Sequence, residues 1–290
     1  YIHNMTILIA RAQQLDLVEQ SELKQFELSF FTALLWSEIF ELNDPRKNDQ
    51  RAIAVAREQL ISSGSVSQGY RFFNHETQLP PARGKLYPPD VDDTAVIAEA
   101  LFHLGALSEK NIKQISKRLL KERSGEHGGF YVWMTDQNGR RKSDIVDSIV
   151  DINVWKAISL SPVHREMARD HLYHALLNLS HPRTSSYYTN EQFVLWLKLR
   201  ALRALDPAKI KVIIDINRDY LKIYLPEGRS ITADDTVYNI LELIKHNVKR
   251  RFEGDILFQH TALKIGYKYP GPYLNLSQGY LARTSPAHTP

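Results

Sequence analysis

Cysteine is absent from the 290 residues, which excludes disulfides, thiolate nucleophiles and every zinc site built on thiolate. Long apolar runs are missing too: none approaches the length that spans a bilayer. The opening YIHNMTILIA has neither the charged start nor the small-residue cleavage site of a signal peptide. A cytoplasmic chain is therefore expected, with peripheral membrane association the one membrane contact left open. Charge of one sign is not concentrated. The 37 basic and 33 acidic residues leave a net charge of +4 and are interspersed, apart from short runs such as KRR at 249–251, so nucleic acid is not an expected partner.

What the sequence has in abundance is helical period. It predicts helices over Leu15–Leu42, Arg51–Ser62, Asp92–Leu104, Asn111–Lys121, Val146–Leu160, Arg165–Leu179, Glu191–Leu205, Thr236–His246 and Phe258–Ile265. Strand signals are few. The one good candidate is a β-hairpin insertion near 128–144, GGFYVWMTDQNGRRKSD, with Asn138-Gly139 as its tight turn. The expected class is all-α, built of helical hairpins in one domain over 1–284. A tail at 285–290, SPAHTP, lacks any apolar period and is expected to fray. An internal echo, DDTAVIAEAL at 92–101 against DDTVYNILEL at 234–243, fits paired helices around a common axis, alternately inside and outside. In such a toroid the inner N-termini would converge on one rim.

The stretch YPPDVDDTAVIAEAL at 87–101 poses the chemical question. Asp90, Asp92 and Asp93 crowd together directly ahead of an apolar run. Pro88-Pro89 disfavours helix before them, so the acids fall at a helix start, where they oppose the helix macrodipole favourably. A solvated helix cap is thus one reading. A D-x-D-x-T phosphatase loop needs a buried strand ahead of its nucleophile, and ARGKLYPP cannot be one. A calcium loop needs glycine at its sixth position, where Ala95 stands.

DVDDTA also resembles the D-x-D-D-T-A motif of class II terpene cyclases of the squalene–hopene cyclase family. GGFYVWM at 128–134, the string Asp147, Val150, Asp151, Asn153, Val154, the stretch SYYTNEQFVLWL at 186–197 and the Asp235-Thr236 echo resemble features of prenyltransferase and squalene cyclase repeat proteins. In length the chain is similar to the single-domain meroterpenoid cyclases of that family. The QW repeats of squalene cyclases are not apparent, and no histidine partner for the acid can be assigned.

The resemblance implies an (α/α)6 barrel and cyclisation of a linear prenyl chain, of farnesyl length and attached to an aromatic acid, started by protonation of a carbon–carbon double bond. It makes Asp92 the general acid, flanked by Asp90 and Asp93. Crowding would hold the proton on, and the helix N-terminus and hydrogen bonds to the emerging carboxylate would strengthen the acid. Carbocations are stabilised by aromatic faces, which do not trap them. Candidates for the cavity rim are Phe72, Phe73, Phe130, Trp133, Trp155, Tyr187, Tyr188, Phe193, Trp196 and Tyr238, each of which could equally be ordinary core. Asp151 and Asn153, with Asp147 one turn before Asp151, are candidates for a polar substrate head, and His260 for a terminal base.

No cofactor or metal is expected, save a divalent ion if the substrate carries a diphosphate. No D-D-x-x-D motif supports a metal-ionising cyclase, and without cysteine the zinc site of protein prenyltransferases cannot form. Two other classes remain open. One is a toroidal carbohydrate-active enzyme with paired carboxylates. The other is a non-catalytic interaction module, whose acid cluster would face solvent.

Overall fold

The computed structural model describes residues 29–41, 45–71, 89–180, 185, 188, 191–225 and 237–248. Phe72, Phe73, Tyr187, His260, Asp234 to Thr236, the helix expected over Phe258–Ile265 and the 285–290 tail lie outside them.

The described residues are mostly helical. The helices are α1 (Ser29–Glu41), α2 (Gln50–Ile61), α3 (Val91–His103), α4 (Glu109–Lys121), α5 (Ser148–Ile158), α6 (Arg165–Leu176), α7 (Glu191–Leu202) and α8 (Pro207–Ile216), then a single turn α9 (Arg218–Leu221) and α10 over 237–248. Local chemistry fixes where they start. Asp49, Asp90, Ser108, Asp147 and Asp206 each accept backbone N–H groups of the first turn, and Ser108 forms a reciprocal capping box with Asn111.

Two kinds of helix alternate. Val91 to Leu101 of α3, Phe193 to Leu202 of α7 and nearly all of α5 are covered on every side. By contrast α2, α4, α6 and α8 bury one stripe each, such as Ile112, Ile115 and Leu119 or Ile210, Ile213 and Ile214. The short connections 104–108, 159–164 and 203–206 join a covered helix to an amphipathic one. The covered helices run parallel: Asp92 in the first turn of α3 meets Asn153 in α5, while Glu99, further along α3, meets Lys156, further along α5. Likewise Phe30 at the start of α1 lies beside Tyr188 ahead of α7, and Arg203 beyond α7 reaches the carbonyl of Glu41 at the end of α1. Their N-termini therefore share one end of the molecule.

Expected and observed elements differ at several points. Helix α8 was not expected, although Asp206-Pro207 is a strong start signal and three isoleucines share its face. The hairpin at 128–144 is a correction. Its Asn138-Gly139 turn forms, closed by hydrogen bonds between Asp136 and Arg140 and with Gly139 at φ 74°, but no strands flank it. The reason lies in where the backbone bonds go. Tyr131 donates to Glu122, Val132 to Ile145 and Met134 to Pro89, while Val91 donates to Val132, so 130–134 is sewn to three separate segments. The strand pair is elsewhere, β1 (Gly64–Ser65) against β2 (Gly69–Tyr70), antiparallel. Gly69 has φ 90°, and a Cβ there would fall 2.4 Å from Met134 Sδ and 2.8 Å from Thr94 Oγ1, so only glycine lets this hairpin lie on the first turn of α3. No helix of the described residues is long and apolar enough to cross a membrane.

Candidate active site

Asp90, the cap of α3, accepts the amide of Asp93 at 2.6 Å, and the next turn carries Asp92 and Asp93 inward. Asp92 is 6% exposed and Asp93 3%. Asp92 Oδ1 accepts from Asn153 Nδ2 at 2.9 Å, and Oδ2 is hydrogen bonded to the Tyr188 hydroxyl. Burial first, then the Asp90 charge, push the Asp92 carboxyl up to about 8, against the pull of Tyr188 and Asn153, with Asp147 adding to the rise. Burial raises Asp90 to about 6, offset in part by bonds from Asp93 and Asp92 and by Lys142 nearby. Asp93 is pushed well up by burial and then by Asp90 and Asp92. Which carboxyl of the cluster releases a proton first is a property of the coupled group. The Tyr188 phenol, raised by burial and then by Asp92, stays neutral.

The aromatic residues divide into two groups. Tyr188 lies beside Phe30 at 6.4 Å and Phe193 at 5.8 Å between ring centroids, and Phe193 stacks on Trp196 at 5.9 Å, so a run of rings joins Asp92 through the Tyr188 hydroxyl. Phe130 and Trp155 instead meet each other edge to face at 4.9 Å, and Trp155 stacks on His171 of α6. Trp155 lies two positions after Asn153, about 200° around α5, which turns it from the acid. Trp133 pairs through its backbone with Asp90, with Lys142 Nζ 4.0 Å above its ring. Tyr238 is 37% exposed and lies under the Arg203 guanidinium.

The polar candidates separate as well. Asn153 is fully buried on Asp92. Asp151 accepts the Phe130 amide at 2.6 Å and so clamps the 129–130 backbone. Asp147 caps α5, accepting from Ile149, Val150 and the Ser185 hydroxyl. Ser185 Oγ in turn accepts the Tyr188 amide, tying that cap to the segment presenting Tyr188.

One group of functional interest went unread in the sequence. Asn153 Oδ1 accepts from Arg200 Nη1 at 3.3 Å, and Arg200 Nη2 bonds Glu99 at 2.5 Å. Glu99 also binds Lys156, which binds Glu41. With Glu38, Arg203, Glu242 and Lys245 these side chains make a belt of ion pairs across the later turns of the covered helices. Burial alone would raise Glu99, but Arg200, Lys156 and His103 hold it down at about 2. Glu41, Glu99 and His103 could offer a metal three ligand atoms within 4.8 Å of one another, yet two of them are already neutralised by Lys156 and Arg200. The signal was available: Glu99 in AVIAEAL and Arg200 in VLWLKLRAL are charges inside stretches apolar on every side.

No protein-family model matches the chain, and no curated protein matches it. Two solved structures are similar to it in fold. One is a type II terpene cyclase, MstE, from Scytonema, as a Tyr-to-Phe variant without ligand: 15% identity, TM-score 0.49, over 89% of this chain and 78% of that one. The other is an Asp-to-Asn variant of MstE in complex with geranylgeranyl dihydroxybenzoate, its substrate: 14% identity, TM-score 0.48, over 89% and 79%.

Proposed function

We propose that the protein is a class II terpene cyclase of (α/α)6 barrel form, which closes a linear prenyl chain into rings by protonating a terminal double bond with Asp92. The observation that carries this reading is a buried carboxyl at the start of a covered helix, raised to about 8 by its surroundings yet held by two ready donors, Asn153 and Tyr188. An alkene is a very weak base, so its acid must be protonated at working pH and must lose its proton to a stabilised carboxylate. The cluster meets both needs. Asp90 and burial keep the proton on, while Asn153, Tyr188 and the N-terminus of α3 receive the charge left behind.

In the step itself the π electrons of the double bond form a new C–H bond as the Asp92 O–H bond breaks, leaving a tertiary carbocation and a carboxylate. Further double bonds of the same chain attack that cation in turn and close the rings. Tyr188, hydrogen bonded to Asp92, continues into a run of buried rings, Phe30 on one side and Phe193 then Trp196 on the other, and a desolvated ring is worth roughly 2 kcal/mol or more to a cation. A prenyl chain of farnesyl length carried on an aromatic acid is the proposed substrate, on the strength of the DVDDTA resemblance. No metal is assigned to the protonation. A non-catalytic module would leave its acids in water, whereas Asp92 and Asp93 are buried.

Linear prenyl substrates incubated with the wild type and with Asp92→Asn test the proposal. Cyclised product should fall by at least about 100-fold in the variant, with the melting temperature showing that it is folded. Undiminished product from Asp92→Asn overturns the assignment.

A further inference from the structure

The acid and the ionic belt are joined at one point, the side-chain amide of Asn153. A carboxamide has a donor end and an acceptor end, and its orientation is read from its neighbours. Arg200 is the decisive neighbour. A guanidinium offers only donors and is always charged, so the carbonyl of Asn153 must face it, as the 3.3 Å contact with Oδ1 has it. The amide nitrogen is then left pointing at Asp92 Oδ1 at 2.9 Å. Turned over, the amide would press its N–H groups against the guanidinium. Arg200 cannot drift away to permit that, since it is fully buried and paired with Glu99, itself paired with Lys156.

We propose that Arg200 is a positioning residue for the acid: through Asn153 it assigns the transferable proton to Asp92 Oδ2 and keeps a fixed donor on Oδ1 for the carboxylate that forms. Oδ1 meets the Asn153 N–H, a group that can only donate, so Oδ1 is the carbonyl-like oxygen and the hydrogen resides on Oδ2, whose partner, the Tyr188 hydroxyl, can accept while the acid is protonated and donate once it is not. The positive charge also polarises the amide, so its N–H groups bind the product carboxylate more strongly than a free asparagine would. With the guanidinium gone, the amide is free to turn and accept from the protonated acid, which favours the state that has not yet reacted. The acid would weaken and its midpoint would rise.

This inference rests on Asp92 as the acid, but its test does not require turnover. Among the described residues, the groups facing Asp92 are Asp90 and Asp93 from α3, Asp147 and Asn153 from α5, and Tyr188 ahead of α7, with Lys142 near Asp90. To isolate one carboxyl among them, protein labelled with 13C in its aspartate carboxyls is titrated by infrared difference spectroscopy, with Asp92→Asn as the blank. The protonated C=O band then reports the midpoint and hydrogen bonding of Asp92 alone.

The first variant is the charge-neutral pair Glu99→Gln with Arg200→Met, which leaves the summed charge of the belt unchanged. We expect its Asp92 midpoint to rise by about one unit and kcat/KM for cyclisation to fall by about tenfold. A folded pair that titrates and turns over like the wild type overturns the inference. Should the pair not fold, Asn153→Leu, which removes the donor and leaves Arg200 on Glu99, must raise the midpoint in the same way, and an unmoved midpoint overturns it. In the Asn153→Leu background Arg200→Gln, which removes the charge while Lys156 still holds Glu99, should then change nothing further, because the relay is already cut. A further shift there would mean that Arg200 acts by charge alone, and would sink the relay. If Asp92→Asn still makes product, the cyclase reading fails while the midpoints still decide whether Arg200 orients the amide.

Discussion

Helix α3 buries carboxylates at both ends of its covered face and treats them in opposite ways. Asp92 and Asp93 lie among other acids and are pushed upward, Asp92 to about 8. Glu99, two turns on and no less buried, is held at about 2 by Arg200 and Lys156. Burial is common to both, so company decides the outcome. Without a cation a buried carboxyl keeps its proton and becomes an acid. With two cations it ionises and becomes a structural fixture.

That contrast can be broken most severely at the fixture. Glu99→Ala would leave Arg200 and Lys156 as buried charges with too little compensation, and should destabilise the fold by about 3–5 kcal/mol in urea unfolding. The converse holds for Asp92. Its folded midpoint is raised, so its contribution to stability is complete below the unfolded value near 4 and is lost as pH rises through about 8. Wild-type unfolding midpoints should therefore decline between about pH 4 and 8, and Asp92→Asn should flatten that decline and be the more stable protein at the alkaline end. Cyclisation, which needs the protonated acid, should lose kcat/KM over the upper part of the same window. A smaller effect is expected from Asp147→Ala, which uncaps α5 and releases Ser185, at about 1–2 kcal/mol by thermal melting. Smallest is Lys142→Gln, which removes a cation near Asp90 and should move that carboxyl slightly upward in a carboxyl NMR titration.

How much of this was legible in the sequence follows from the same physics. The covered helices declared themselves as apolar stretches, and Pro88-Pro89 ahead of acids fixed the start of α3 within a residue. The apolar run behind the acids left both a solvated cap and a buried acid open, and it was the resemblance to cyclases that favoured the buried acid at Asp92 and named Asn153 as a candidate. Tyr188 was read as one ring among many, and nothing local marks it as the partner of Asp92 across 96 positions. The belt was missed because pairings such as Glu99 with Arg200, 101 positions apart, exist only once the helices are parallel. The 128–144 segment misled because its turn chemistry is right for a hairpin, while the bonds that decide its strands belong to residues 89–91, 122 and 145–146.

The covering of α3 also governs how the protein could change. From Val91 to Leu101 every side chain is buried, so that helix has no face on which substitutions can accumulate without touching a neighbour. A random library would find its neutral variants on the outer sides of α2, α4, α6 and α8 and almost none on α3, whose spelling is fixed from both directions at once.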